Sequence, residues 1–171
     1  MSGISGYQDV VDGIDDPVRC IGKRRKAGYL PRRVVAANDH WIDRWKVLIS
    51  RSNNIGTELN DDNQNAFVVE PGSVCTETYI VVGADLELDE STALNLVAYM
   101  KSRFARFLHS MAKVSQDASR RTYRFVPQVD VSSGSKIDWS RSSDEVDEQL
   151  FDLYELTADE REHIRSSIKE M

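Results

Sequence analysis

The chain has 171 residues, of which 40% are hydrophobic and 29% charged, and its formal net charge is −6. This length suits one domain, or one domain with a small appendage, and is sufficient to bury a hydrophobic core. No apolar run approaches the roughly 20 residues that span a bilayer, and the first residues resemble neither a signal peptide nor a basic transit peptide, so we expect a cytoplasmic protein.

The first half of the chain is predicted to form strands. Residues 18–35 indicate two strands joined by a glycine-containing turn, and residues 45–51 indicate a buried strand. A polar loop rich in Asn, Asp and Gly follows at 52–65. The β-branched and aromatic runs 66–70 and 76–83 flank a Pro-Gly turn and predict two further strands.

The hydrophobic period then becomes helical. Between Asp89 and Lys113 the apolar residues recur three or four positions apart and fall within one arc of about 100°. Arg103, Arg106 and Lys113 fall on roughly the opposite side. We therefore expect one long helix with a buried apolar face and a cationic outer stripe, whose start Asp89 is placed to cap.

The remaining residues predict a short strand at 123–127 and then two helices. The first helix covers about 143–154, and the second begins at Thr157. Thr157 and Glu160 have the spacing of a capping box, in which each side chain satisfies a backbone amide of the first turn.

These elements together predict an α+β fold. We expect a small mixed or antiparallel sheet packed on one long amphipathic helix, with a C-terminal pair of short helices. Residues 1–130 would form the sheet-plus-helix domain, and residues 131–171 a linker and a helical appendage packed on it.

Charge is segregated along the chain. Residues 19–51 hold ten basic and two acidic residues, residues 52–100 hold nine acidic and no basic residues, and residues 101–124 hold seven basic and one acidic. A polyanion responds to the local field, which salt screens beyond roughly 10 Å. Two basic blocks that meet in space would present a surface to DNA or RNA, whereas blocks paired with the acidic segments would be ordinary solvated faces.

Motifs of known enzyme classes are scarce. The chain has no GxGxxG, P-loop, GxSxG or HExxH pattern. Glu70 and Glu77 are candidate metal ligands of a nuclease, but no lysine follows Glu77 at the spacing that such sites use, which favours a structural role for both. We therefore expect no catalytic residue and no metal site in this chain.

Four stretches combine unusual residues over long runs. They are HWIDRWKVLISR (40–51), VVEPGSVCTETYIVVG (68–83), YMKSRFARFLHSMAKVSQDASRRTYRFVP (99–127) and DWSRSSDEVDEQLFDLYELTADEREHIRSSIKEM (138–171). In this order they resemble the C-terminal target-recognition region of type II restriction–modification enzymes, the adenine-specific DNA methyltransferases of which some are fused to an endonuclease. The family counterpart of 70–79 is Glu-Pro-x-Ser-Val-Cys-Thr-Glu-Thr-Tyr.

The resemblance implies a division of labour. The family's methyltransferase carries an Asn-Pro-Pro-aromatic catalytic motif and a glycine-containing cofactor loop, but none of the four prolines here is adjacent to another. This chain would therefore select the DNA sequence. A methyltransferase module, joined in cis or in trans, would bind S-adenosylmethionine and methylate the DNA. In some members of the family that module is also fused to an endonuclease. The partners implied are double-stranded DNA and that module, with no membrane and no cofactor in this chain.

The candidate DNA-binding residues divide into two groups, because phosphate contacts position a duplex and base contacts specify its sequence. The candidates for phosphate contacts are Lys23, Arg24, Arg25, Lys26, Arg103, Arg106, Lys113, Arg120 and Arg121. The candidates for base contacts are Arg32, Arg33, Arg51, Asn53, Asn54 and Gln116.

Two other functions stay open at the level of the sequence. One is a metal-dependent DNA nuclease that uses Glu70 and Glu77. The other is a protein-interaction module whose basic faces bind an acidic partner. The motif at 73–79 would either touch DNA or hold the sheet to the basic helix, and the second role is favoured.

Overall fold

The computed structural model describes residues 7–55 and 63–169, and the part of the predicted polar loop at 56–62 lies outside them. The strands in the described residues are β1 (Pro17–Ile21), β2 (Ala27–Pro31), β3 (Lys46–Ser50), β4 (Phe67–Val69), β5 (Ser73–Cys75) and β6 (Tyr79–Val82). The helices are α1 (Glu90–Lys101), α2 (Arg103–Ala112), α3 (Ser143–Leu153) and α4 (Ala158–Ser167). The predicted α+β fold is confirmed. Among these residues, no helix has the length and apolar character needed to cross a membrane.

The strands form two sheets of three strands, where the sequence suggested one small sheet. In the first sheet, β1 pairs antiparallel with β2 and parallel with β5. In the second, β3 pairs antiparallel with β4 and with β6. Strand β5 was not predicted, because three residues are too few to show a period of two, and its extended form depends on pairing with β1.

The two sheets and the helices form three layers. Side chains alternate between the two faces of β3, and the two faces contact different neighbours. Val47 and Ile49 face the helices and belong to the main hydrophobic core. Leu48, on the opposite face, packs with Ile21 of β1 and Val69 of β4 between the two sheets. The β4–β3–β6 sheet is therefore the middle layer, covered by helices on one face and by the β2–β1–β5 sheet on the other.

The C-terminal helices contribute directly to the main core. Leu150 and Phe151 of α3 and Ile164 of α4 are buried in the same cluster as residues of α1 and α2. The Phe151 ring meets Phe104 of α2 edge-on, with centroids 6.5 Å apart. This aromatic contact packs α3 against α2.

The predicted long helix from Asp89 to Lys113 is interrupted at Ser102, whose ψ of 148° is not helical. Ser102 ends α1 and caps α2, because its hydroxyl accepts the backbone N–H of Ala105 at 3.1 Å. The break changes which side chains α2 buries. Arg106, predicted on the outer stripe, is 1% exposed, and Met111, predicted on the buried face, is 60% exposed.

The predicted strand at 123–127 is also wrong. The chain forms a short 3-10 turn, Arg120–Tyr123, at the start of this segment. Ser119 and Thr122 satisfy each other's backbone locally: the Thr122 hydroxyl accepts the N–H of Ser119 at 3.0 Å and donates to its carbonyl at 2.8 Å. Side chains of this type compete with extended structure for backbone hydrogen bonds.

The predicted helix caps are confirmed. Asp89 accepts the backbone N–H of Thr92 at 2.8 Å, and the Thr92 hydroxyl accepts the N–H of Asp89. Thr157 and Glu160 form the reciprocal capping box at the start of α4. The starts of α1 and α4 are thus determined by local side-chain chemistry, which is why they are visible in the sequence.

Candidate nucleic-acid interface

The cations predicted on the long helix are used inside the molecule. The Arg106 guanidinium is buried and its Nε donates to the carbonyls of Lys101 and Ser102, at 2.9 and 3.3 Å. Arg103 donates to Asp144 at 2.7 Å, with only 14% of its side chain exposed. The phosphate contacts of Arg103 and Arg106 stay predictions, which the burial of Arg106 and the pairing of Arg103 with Asp144 of α3 do not favour.

Lys113 and Asn53 likewise serve each other. Lys113 Nζ donates to the backbone carbonyl of Asn53, to Asn53 Oδ1 at 2.8 Å and to the Ile55 carbonyl at 3.2 Å. Asn53 is 5% exposed, and its amide also donates to the Ser50 carbonyl. The two side chains thus secure the chain after β3. The phosphate contact of Lys113 and the base contact of Asn53 stay predictions that these internal bonds do not favour.

Arg32 is held by two carboxylates of its own molecule. Its guanidinium donates to both oxygens of Asp43 at 2.8 Å, and its Nε lies 3.2 Å from Asp16. The hydrogen bond from Arg32 lowers the pKa of Asp43 below its usual value. These ion pairs occupy Arg32 within its own molecule, and its base contact stays a prediction that this arrangement does not favour. Arg33 is exposed, but it follows β2 and lies at the end of that strand remote from the β1–β2 turn.

The β1–β2 hairpin ends in an exposed basic tip, Lys23–Lys26. Two aromatic side chains of the middle sheet hold this tip. The Tyr79 hydroxyl accepts the backbone N–H of Arg25 at 3.0 Å and donates to the Gly22 carbonyl at 3.2 Å. The Arg25 guanidinium lies 4.3 Å from the centre of the Phe67 ring, within cation–π range. The tip is therefore fixed against the second sheet.

Backbone hydrogen bonds connect this tip to a second basic segment. Arg51, next to β3, donates its N–H to the carbonyl of Thr78, which precedes the tip-binding Tyr79. The Arg51 carbonyl in turn accepts the N–H of Ala118 at 2.6 Å. Ala118 lies two residues before the turn Arg120–Tyr123. These hydrogen bonds place three segments that are distant in sequence next to one another at the surface.

We call this surface the basic edge. It consists of Lys23, Arg24, Arg25, Lys26, Arg51, Arg120 and Arg121, all of which are exposed. None of these side chains forms an ion pair with another residue in the described ranges. Glu77 and Asp117 are the carboxylates closest to this path in sequence, and both are exposed. Gln116 is exposed, and its carbonyl accepts the N–H of Asn53, which places it close to Arg51. Asn54 is half-buried.

The two candidate metal ligands of the nuclease alternative differ in their surroundings. Glu70 accepts a hydrogen bond from Arg19 across the two sheets, while Glu77 is exposed in the loop between β5 and β6. In the portions of the chain that the structure describes, no three His, Cys, Asp or Glu side chains are grouped so that they could hold a metal ion.

The roles of Tyr79 and Phe67 were not predicted. The alternation along 76–82 placed Tyr79 and Val81 on one face of a strand, and this is the face that packs against the first sheet. The sequence also favoured a structural role for the motif at 73–79. What periodicity cannot show is that the Tyr79 hydroxyl reaches a backbone 54 residues away in sequence.

Comparison with known proteins gives no match: no family model, no curated protein and no solved structure matches this chain.

Proposed function

We propose that this chain is a double-stranded DNA-recognition domain and that the basic edge is its binding surface. The observation that carries the proposal is the contrast between two groups of predicted DNA-binding cations. Those predicted on the helix face are bonded internally, while the seven of the basic edge come from three neighbouring segments and are exposed without a carboxylate partner in the described residues. Unpaired cations on one edge create the local positive field that a phosphate backbone requires.

The acidic net charge is compatible with this function, because much of it resides elsewhere. Residues 125–171 carry twelve acidic and five basic residues. Several of these acids form ion pairs within the C-terminal helices, such as Glu148 with Arg165 and Asp152 with Arg161. At 0.1 M salt, exposed charges more than about 10 Å apart are largely screened from each other, so a duplex responds to the local charge and not to the net charge.

The parent system we propose is a type II restriction–modification enzyme that methylates adenine. Support comes from the resemblance of the stretches 40–51, 68–83, 99–127 and 138–171 to the target-recognition region of that family. Chemistry would belong to a methyltransferase module with bound S-adenosylmethionine, joined in cis or in trans. A methyltransferase reading frame directly upstream of this one would support the assignment, and a neighbourhood of unrelated genes would contradict it.

The first experiment compares two double variants that each remove two positive charges from exposed side chains. Arg120→Ala with Arg121→Ala changes the basic edge, and Lys136→Ala with Arg141→Ala changes exposed cations that are not among the predicted DNA contacts. We expect the first pair to weaken binding to a fluorescein-labelled duplex by about tenfold or more at 0.1 M salt, and the second to change it less than about threefold. Fluorescence anisotropy is the readout.

Two outcomes contradict the proposal. Equal weakening by both double variants would mean that the basic edge is not the surface in use. The absence of duplex binding by the unmodified chain at 20 mM salt would favour a protein partner with an acidic surface instead.

A further inference from the structure

The backbone at the basic tip has an unfavourable conformation that the proposed phosphate contacts do not explain. Arg24 has φ 60° and ψ 31°, and Arg25 has φ 58°. Both lie in the left-handed region, which side chains with a Cβ rarely adopt. Lys26 N–H donates to the Lys23 carbonyl at 3.4 Å, closing the turn. Two successive left-handed residues are the geometry of a type I′ turn, in which Asn-Gly is the favoured pair.

Phosphate contacts alone would not require arginine at these two positions. A lysine or arginine at a neighbouring extended position supplies the same charge without the strain, as Lys26 does with φ −62° and ψ 130°. Strained backbone that the surrounding structure maintains is concentrated at functional sites. The tip therefore has a reason to keep arginine where the turn favours other residues.

The two arginines of the turn are placed differently. Arg25 is held on both sides, by the Tyr79 hydroxyl at its N–H and by the Phe67 ring at its guanidinium. Arg24 is exposed, and within the described residues its guanidinium has no ion pair and no aromatic contact. A fixed Arg25 thus presents the guanidinium of Arg24 at the first central position of a rigid turn.

We propose, on the basis of the DNA-binding function proposed above, that Arg24 is a specificity-determining residue that enters the major groove and reads a guanine. The planar guanidinium carries two parallel N–H donors that match O6 and N7 of guanine. The major groove, about 12 Å wide, admits a two-stranded ribbon such as the end of the β1–β2 hairpin. Arg24 thus contacts a base rather than a phosphate.

The experiment measures sequence preference with a pool of randomised duplexes, sequenced before and after selection by the full chain. Arg24→Lys keeps the charge but loses the paired donors. We expect it to lose the preference for guanine at one position by roughly tenfold, and to keep the unmodified salt dependence. Lys26→Ala is the matched control, and we expect it to weaken binding to all sequences alike.

A second variant separates base reading from folding. Arg24→Asn places a residue that tolerates the left-handed region in the same turn and keeps the contact between Arg25 and Phe67, so the melting temperature should be equal or higher while the preference for guanine disappears. The same preference in Arg24→Lys as in the unmodified chain, or no sequence preference in the unmodified chain, would overturn the inference and leave DNA binding intact. Failure of the unmodified chain to bind any duplex would overturn both.

Discussion

Lys113 shows why single residues of a site are difficult to assign from sequence. Its charge and its place after a helix with other cations favoured a role on the surface. Its partners, Asn53 and Ile55, lie 60 and 58 residues earlier in the chain. An ammonium group surrounded by carbonyl oxygens is satisfied internally, and only the tertiary structure reveals those oxygens.

His109 leads to a prediction about pH. The ring is completely buried, its centroid is 3.9 Å from that of Tyr123, and neither ring nitrogen has a hydrogen-bond partner in the described residues. Burial, with a smaller contribution from Lys113, lowers the pKa of His109 from 6.5 to about 4. Between these values the unfolded chain binds a proton that the folded chain does not, so the free energy of unfolding should fall as pH decreases from 6.5 toward 4.

The size of this effect is about 3 kcal/mol at most, from the shift in pKa. His109→Leu removes the titrating group, so the variant should not lose this stability at low pH. The difference between the free energy of unfolding of the variant and that of the unmodified chain should therefore increase in favour of the variant as pH falls below 6.5. Urea unfolding at pH 4.5, 5.5 and 7.5 measures the difference, in which carboxylates common to both proteins cancel. His163→Asn on α4 is the control. Parallel pH profiles for the His109 variant and the unmodified chain would contradict the account.

At the scale of elements, the starts of helices were predicted correctly where local chemistry determines them. Asp89 and Thr157 cap the helices that follow, as their spacing indicated. The break at Ser102 was missed because serine is common inside helices and outside them. What determines the break is a partner from α3: the Asp147 carboxylate accepts the backbone N–H groups of Arg103 and Phe104, both at 3.1 Å.

Asp147 should therefore be essential for the junction of α2 and α3. It is 1% exposed, and burial raises its pKa against the opposing effect of the two backbone hydrogen bonds. Asp147→Ala leaves two buried N–H groups without their acceptor and should lower the free energy of unfolding by about 3 kcal/mol. Asp144→Ala, which removes an exposed partner of Arg103, should cost less than about 1 kcal/mol. Chemical denaturation measures both, and equal losses would contradict this role of Asp147.

For strands too, features that local sequence determines were predicted, and features that depend on residues far apart in the chain were not. The β1–β2 hairpin and strands β3, β4 and β6 follow from alternation and turn residues, and all were predicted. The division into two sheets was not, because it depends on the parallel pairing of β5 with β1, about 54 residues away in sequence: Arg19 is opposite Ser73 and Ile21 opposite Cys75. Pairing partners at such separations leave no periodic signal in the strand itself.

At the scale of the whole molecule, the segregation of charge was informative but incomplete. It indicated which segments are basic, without showing which cations meet carboxylates. In the first basic block, Arg19, Arg32 and Arg44 form ion pairs, with Glu70, Asp43 and Glu87. The hairpin tip of the same block stays exposed. The basic edge thus contains seven of the fifteen predicted DNA-binding residues. Gln116 is exposed beside it, and the remaining seven are buried, paired within the molecule or on other surfaces.

The central claim is that a duplex binds to the basic edge through its phosphates. The most direct measurement is the slope of log Kd against log salt concentration for duplex DNA, with the unmodified chain and with Arg120→Ala, Arg121→Ala. We expect a slope of about 4 to 6 for the unmodified chain, and about 2 less for the double variant, because each phosphate contact contributes about 0.9. A slope near zero, or the same slope in both proteins, would contradict the claim.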